Sequence, residues 1–147
     1  MLKIKILFGL FIGVFATNFG KDGNLLPLKL DPETNQIRDS SGVALVLRGV
    51  NVVVKNHPYI PSEDTFDPQM SLNDKDIDDL VRWGFNIVRL GVIWEAVEVE
   101  PGVYNNTYLD KIEKLVNKLG ESGIYSIIDS HQDLFSRVNC GEGVPLF

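Results

Sequence analysis

The sequence predicts an α/β fold: about three β/α units, preceded by a β-hairpin, forming the N-terminal part of an incomplete (β/α)8 TIM barrel. Three observations lead there. Short apolar runs alternate with amphipathic helical segments, the order that builds parallel βαβ units with right-handed crossovers. The first strand-to-helix turn, KNHPYIPSEDTFDPQM, contains no glycine, whereas a doubly wound nucleotide-binding sheet places glycines at that turn. Polar residues gather where each candidate strand ends, as they do at the C-terminal face of a barrel.

The elements follow in order. MLKIK and the uncharged run ILFGLFIGVFA open the chain. The run falls well short of the roughly 20 apolar residues that span a bilayer. Small Val14 and Ala16 suit a signal peptidase site, so residues 1–16 are expected to be a secretory signal and 17–147 the catalytic-domain portion. No stable transmembrane segment is then expected after cleavage, and the destination is the secretory pathway, with the extracellular space or a lysosomal or digestive lumen as its end. The segment from Leu25 to Val54 reads as β-prone pieces punctuated by the turn clusters DPETN and DSSG. ALVLRGVNVVV is apolar almost throughout and suits a strand buried on both faces.

The helical signal in SLNDKDIDDLVRWG rests on Ser71 or Asn73 as cap, early acids that favour the helix dipole, and apolar Ile77, Leu80 and Val81. Gly84 marks its end. FNIVRLGV is a second strand, WEAVEVEPGVYN a loop, and NTYLDKIEKLVNKLGESG a second helix with Leu109, Ile112, Leu115, Val116 and Leu119 on one face. IYSIID is a third strand, and SHQDLFSRVNCGEGVPLF a closing loop.

Composition narrows the function. The 147 residues carry 14 Lys+Arg against 20 Asp+Glu, a net charge of −6, and no basic face appears, so no nucleic-acid partner is expected. An apolar content of 44% supports a real core and excludes global disorder. The single cysteine, Cys140, implies a missing partner or a free thiol in a secreted chain. NNT at Asn105 is a glycosylation sequon, useful only if that loop faces solvent. Nothing in the sequence bears on oligomeric state.

Candidate site residues sit at the strand ends: Lys55 and Asn56 follow the first, Arg89 ends the second with Trp94 and Glu95 just beyond, and Asp129, His131 and Asp133 end the third. Each has a plain alternative. Lys55 fits a solvated loop lysine, Arg89 a structural arginine, Trp94 a core residue and Asp129 a turn cap. His131 is different, because flanking acids would hold one ring nitrogen and fix its tautomer. HQD also matches half of a two-histidine, one-carboxylate iron site, for which the remaining histidine is His57. A glycosidase needs two carboxyl groups roughly 5–5.5 Å apart for retention or about 6.5–9.5 Å for inversion. In an extended strand Asp129 and Asp133 would stand about 13 Å apart, too far for either. Glu95 and Glu142 are free to approach, but nothing in the sequence requires it.

Together LRGVNVVVK, GFNIVRLGVIWEAVEVEPGVYNNTYLDKI, IIDSHQDLFSR and CGEGVP resemble the endoglycoceramidases, cellulase-like members of glycoside hydrolase family five. The resemblance runs from about Leu28 onward. It implies a TIM barrel that cleaves oligosaccharide from ceramide in glycosphingolipids, with retention and without a cofactor or metal. By the matching motifs Lys55, Asp129, His131 and Asp133 are expected to contact substrate. Arg89 is expected to support the nucleophile's carboxylate. The family's acid/base and nucleophile glutamates follow later strands, so no catalytic residue is expected within these residues. About five of the eight strand–helix units of a barrel are expected to be lacking, and the isolated portion is expected to be marginally stable and inactive alone. The alternatives are a secreted non-catalytic glycan-binding or decoy protein and, more remotely, a metal-dependent oxygenase-like site at His131 and Asp133.

Overall fold

Strand Gly49–Val52 (β4) pairs in parallel with Ile87–Ile93 (β5), and β5 pairs in parallel with Tyr125–His131 (β8). In this computed structural model residues 13–15 and 25–147 are described. The expected leader and its cleavage point after Ala16 lie outside them, apart from strand Gly13–Phe15 (β1). That strand runs antiparallel along the outer edge of β8, with Gly13 opposite Ile128, so the sheet is mixed and ordered β1-β8-β5-β4. Leu28–Asp31 (β2) and Gln36–Asp39 (β3) form the expected N-terminal hairpin. Its turn is tied by the Asp31 carboxylate, which accepts from Thr34 Oγ1 at 2.7 Å and from Arg38 Nε at 2.9 Å.

Helix α1 (Asp74–Arg82) begins with a capping box: Asn73 Oδ1 accepts from the Asp76 amide at 3.0 Å, and Asp76 Oδ2 accepts from the Asn73 amide at 2.9 Å. Its buried face is Ile77 and Leu80; Val81, expected to join them, is exposed. The stretch expected to be a loop after β5 is ordered. It holds the short helix Trp94–Val97 (α2), then strands Glu98–Glu100 (β6) and Val103–Tyr104 (β7), which pair antiparallel around Pro101 and Gly102. The following helix Asn106–Glu121 (α3) buries Ile112, Leu115, Val116 and Leu119 as its spacing predicts, and Tyr108 as well.

The parallel register decides what faces where. Side chains alternate across a strand, and Asn51 pairs with Arg89 while Gly91 pairs with Asp129 and Ile93 with His131. Odd-numbered residues of all three strands therefore share one face, and even-numbered residues the other. The even face carries Val88 and Leu90, fully buried, and joins one core with Ile77, Leu115 and Leu119 from α1 and α3. Removing about three methylene-sized groups there, as in Leu119→Ala, is expected to cost roughly 2–5 kcal/mol, read as a lowered urea midpoint. β4 alternates between exposed and half-buried residues. It is covered on one face only, which corrects the expectation of burial on both. The odd face delivers Lys55, Arg89, Asp129 and His131 to the same end of the sheet. Among the described residues, no helix is long and apolar enough to cross a membrane.

Candidate functional site

At the C-terminal end of the three parallel strands, five of the expected side chains form one chain of polar contacts. Arg89 Nη2 meets Asp129 Oδ2 at 2.5 Å, and the same oxygen lies 2.9 Å from His131 Nδ1. Asp129 thus holds both the guanidinium and the ring, and it fixes His131 as an Nδ1–H donor. The other ring nitrogen, Nε2, faces Asp133 Oδ2 and Glu142 Oε1 at 3.6 Å each. Lys55 closes the chain: its ammonium pairs with the Asp133 carboxylate and lies 3.2 Å from Glu142 Oε1.

Glu142, which the sequence left without a role, is the least exposed of these groups, with its side chain 8% accessible. It arrives by backbone pairing. The Asp133 amide donates to the Glu142 carbonyl at 3.0 Å, and the Glu142 amide donates to the Asp133 carbonyl at 2.9 Å. That bridge folds the loop after β8 back on itself and brings the two carboxylates together.

Other expected residues lie elsewhere. His57 is exposed and packs edge-on against Tyr59 with ring centroids 6.2 Å apart, so it does not supply the second histidine of an iron site. Asn105 caps α3, its Oδ1 accepting from the Tyr108 amide at 3.1 Å. Trp94 donates its indole N–H to Glu98 Oε2 at 2.7 Å. Cys140 is exposed and not in a disulfide.

Two chemistries fit this cluster on distance alone. His131, Asp133 and Glu142 offer donor atoms within 4.8 Å of one another, as a cation site would require. Lys55 already supplies a positive charge to both carboxylates, so a metal would have to displace it. The same closeness of Asp133 and Glu142 falls near the spacing of a retaining carboxyl pair, roughly 5–5.5 Å. A general acid must hold a proton near neutrality. The Lys55 ammonium instead holds the Asp133 carboxyl below its ordinary 3.8, which is the wrong direction.

The sign of the pH dependence follows. Asp133 is lowered, so the stability it contributes is present above pH 3.8 and lost as pH falls through its reduced value. Lys55 is raised, by Asp133 first and Glu142 second, so its contribution is present below 10.5 and lost as pH rises through the increased value. The Lys55 Nζ resonance is therefore expected to stay flat from about pH 5 to about pH 9 and to move only outside that window; titration by 15N NMR reads it.

What remains is an acceptor without a donor. His131 Nε2 is buried and makes no hydrogen bond, and a buried polar atom in that state is costly. A sugar hydroxyl can donate to Nε2 while its oxygen accepts from the Lys55 ammonium close by.

Residues 39–143 match the cellulase family, glycosyl hydrolase family 5. The chain belongs to glycoside hydrolase family 5. Within that family it is 40% identical over 124 residues to an endoglycoceramidase of Cyanea nozakii, covering 84% of this chain and 24% of that protein. A crystal structure of endogalactoceramidase superposes with a TM-score of 0.58 at 30% identity, over 76% of this chain and 24% of that one. Endo-glycoceramidase II from Rhodococcus sp., as its lactosyl-enzyme intermediate, gives a TM-score of 0.52 at 32% identity, over 74% of this chain and 26% of that one. The chain spans about a quarter of the length of the curated relatives it matches. Structural neighbours in family 5 are TIM barrels, and β4, β5 and β8 with their helices form an unclosed part of one.

Proposed function

We propose that the chain forms a sugar-binding wall of a glycosphingolipid-directed glycoside hydrolase, an endo-acting enzyme that releases oligosaccharide from ceramide with retention. The observation that carries this reading is the buried His131 Nε2, which makes no hydrogen bond, set beside Glu142 Oε1 and the Lys55 ammonium that pairs with it. Lys55, Asp129, His131 and Asp133 contact the glycan, directly or through the ring that Asp129 holds, and Arg89 keeps Asp129 in place. The likeness to an enzyme seen as a lactosyl-enzyme intermediate supports a covalent, retaining route, in which one carboxylate attacks and a second protonates the leaving oxygen. The Lys55 ammonium lowers the Asp133 carboxyl, against the proton that a general acid must carry. The acid/base and nucleophile glutamates are assigned to residues outside these 147, and no cofactor takes part. The apolar leader at residues 1–16 supports entry into the secretory pathway, towards the extracellular space or a lysosomal or digestive lumen, with Asn105 as a glycosylation point. Mass spectrometry of secreted material should then find a chain starting at residue 17.

The chain alone is expected to bind the headgroup without cleaving it, the behaviour of a non-catalytic glycan binder. Titration with lactose by NMR should move the Lys55 and His131 resonances, and Lys55→Met should weaken binding about tenfold through loss of a charged hydrogen-bond donor. A fluorescent glycosphingolipid should remain intact. Turnover by the purified chain would place a catalytic pair within it and overturn the assignment.

A further inference from the structure

We infer that Arg137 is a positioning residue: it sets Lys55 for the sugar by fastening the loop after β4 and helix α2 after β5 to the loop after β8. No local sequence signal marks it, because every partner is far away in the chain. Its Nε and Nη2 donate to Glu95 Oε1 at 2.9 and 2.6 Å. Nη2 also donates to the Lys55 carbonyl at 2.5 Å, and Nη1 to Asn56 Oδ1 at 3.4 Å. The Tyr59 ring lies under the guanidinium, 5.9 Å from Cζ, and the Tyr59 carbonyl is in turn held by the Tyr108 hydroxyl of α3 at 3.1 Å. Glu95 is fixed from its other side, its amide donating to the Gly143 carbonyl at 2.8 Å.

One planar fork therefore joins the loops after β4 and β8 to helix α2, and it grips Lys55 at the backbone while the ammonium reaches Asp133 and Glu142. A lysine on an untethered loop would spread over many rotamers. The same tether holds the Glu142 side of the pocket, since Gly143 follows Glu142. A lysine at position 137 lacks the fork and cannot make these contacts together. Arg137 makes no contact that requires it to touch the sugar; it acts through Lys55.

The sugar half of this inference rests on reading Lys55 as a glycan contact, and the experiment separates the two. The full chain is compared with Arg137→Gln, Arg137→Lys and Glu95→Gln. Acylation of Lys55 by acetic anhydride is measured by mass spectrometry against exposed Lys111 in the same molecule, and lactose binding is measured by NMR. Asp133 and Glu142 keep Lys55 protonated above the ordinary lysine range, so a tethered Lys55 reacts slowly. All three variants are expected to raise the Lys55 to Lys111 ratio about tenfold, the scale of one lost charged hydrogen bond, and to weaken lactose binding in step, with helical circular dichroism retained. Glu95→Gln keeps the size of the side chain and decides the matter if Arg137→Gln unfolds. An unchanged ratio in Glu95→Gln overturns the inference. A raised ratio with no lactose binding by any form, wild type included, leaves the positioning role standing and removes the sugar reading of Lys55.

Discussion

Gly141→Ala is expected to abolish glycan binding while leaving the sheet folded. A Cβ at position 141 would lie 1.8 Å from the Asp133 carbonyl oxygen and 2.8 Å from Leu134 Cβ. The first contact is with backbone, so no side-chain rotation relieves it. The oxygen that would be struck is the one that accepts the Glu142 amide at 2.9 Å. The bridge between Asp133 and Glu142 must open, and with it the arrangement that gives Lys55 two carboxylates. Glu142 is then a largely buried carboxylate without its cation, a state that costs about 3–5 kcal/mol when a partner is removed. The loop escapes that cost by swinging Glu142 out to water. The wall then loses its deepest acceptor, and Lys55 keeps Asp133 alone. NMR titration with lactose should show no saturable shift in the variant, and the far-UV spectrum should match the wild type. Binding at wild-type strength would mean that the bridge does not shape the pocket.

The parts of this picture that were legible in the sequence are those with a period. α3 announces itself by apolar spacing because one face is buried and a buried face must repeat with the element, whereas β5 and β8 announce themselves as short apolar runs, β5 being buried on both faces. α1 was legible for a second reason, since Asn73 offers a cap and acids fill the first turn, although the capping box with Asp76 appears only in the structure. Val81 has helical spacing but is exposed, and spacing alone does not report what lies opposite. The β6–β7 hairpin was missed because Val99, Val103 and Tyr104 are exposed. With no buried face, only the Pro101–Gly102 turn was available to signal it.

The site divides in the same way. Lys55, Asp129, His131 and Asp133 were legible because each sits near or just past the end of a strand, and parallel strands end together. Arg89, expected to end its strand, is the third residue of β5 and reaches the site through Asp129. Glu142 and Arg137 belong to an irregular loop. Arg137 reaches residues 42 and 82 positions away, and no period encodes such a contact. Glu142 depends on the backbone of Gly141 and Gly143 approaching residues 131–133 closely. GEG was visible as a motif, but its physical meaning, two places where a Cβ would strike the chain, was not.

Gly49→Ala is expected to be the more damaging change to the fold, and it tests whether the site depends on the sheet. Gly49 begins β4 opposite Ile87 of β5. An added Cβ would stand 1.8 Å from the Ile87 carbonyl oxygen and 2.7 Å from Ile87 Cγ2. Relief requires the two strands to part where they enter the sheet. The seam just before them would part as well. There Asn86 accepts the Arg48 amide at 2.8 Å and donates to the Val46 carbonyl at 3.0 Å, while its own amide donates to the Arg48 carbonyl at 2.9 Å. Forcing extra volume into a packed contact costs about 1–3 kcal/mol, and a backbone clash of this depth belongs at the upper end. The urea midpoint should fall, and the amides of Val50 and Val52 should exchange faster than those of β8. Lys55 stands just beyond the far end of β4, so a strand that leaves β5 carries its ammonium away from Asp133. Gly49→Ala should therefore lose stability and glycan binding together, whereas Gly141→Ala loses binding alone. An unshifted midpoint in Gly49→Ala would show that β4 does not need β5 where the two strands enter the sheet, and the shared strand ends would then not be what assembles the site.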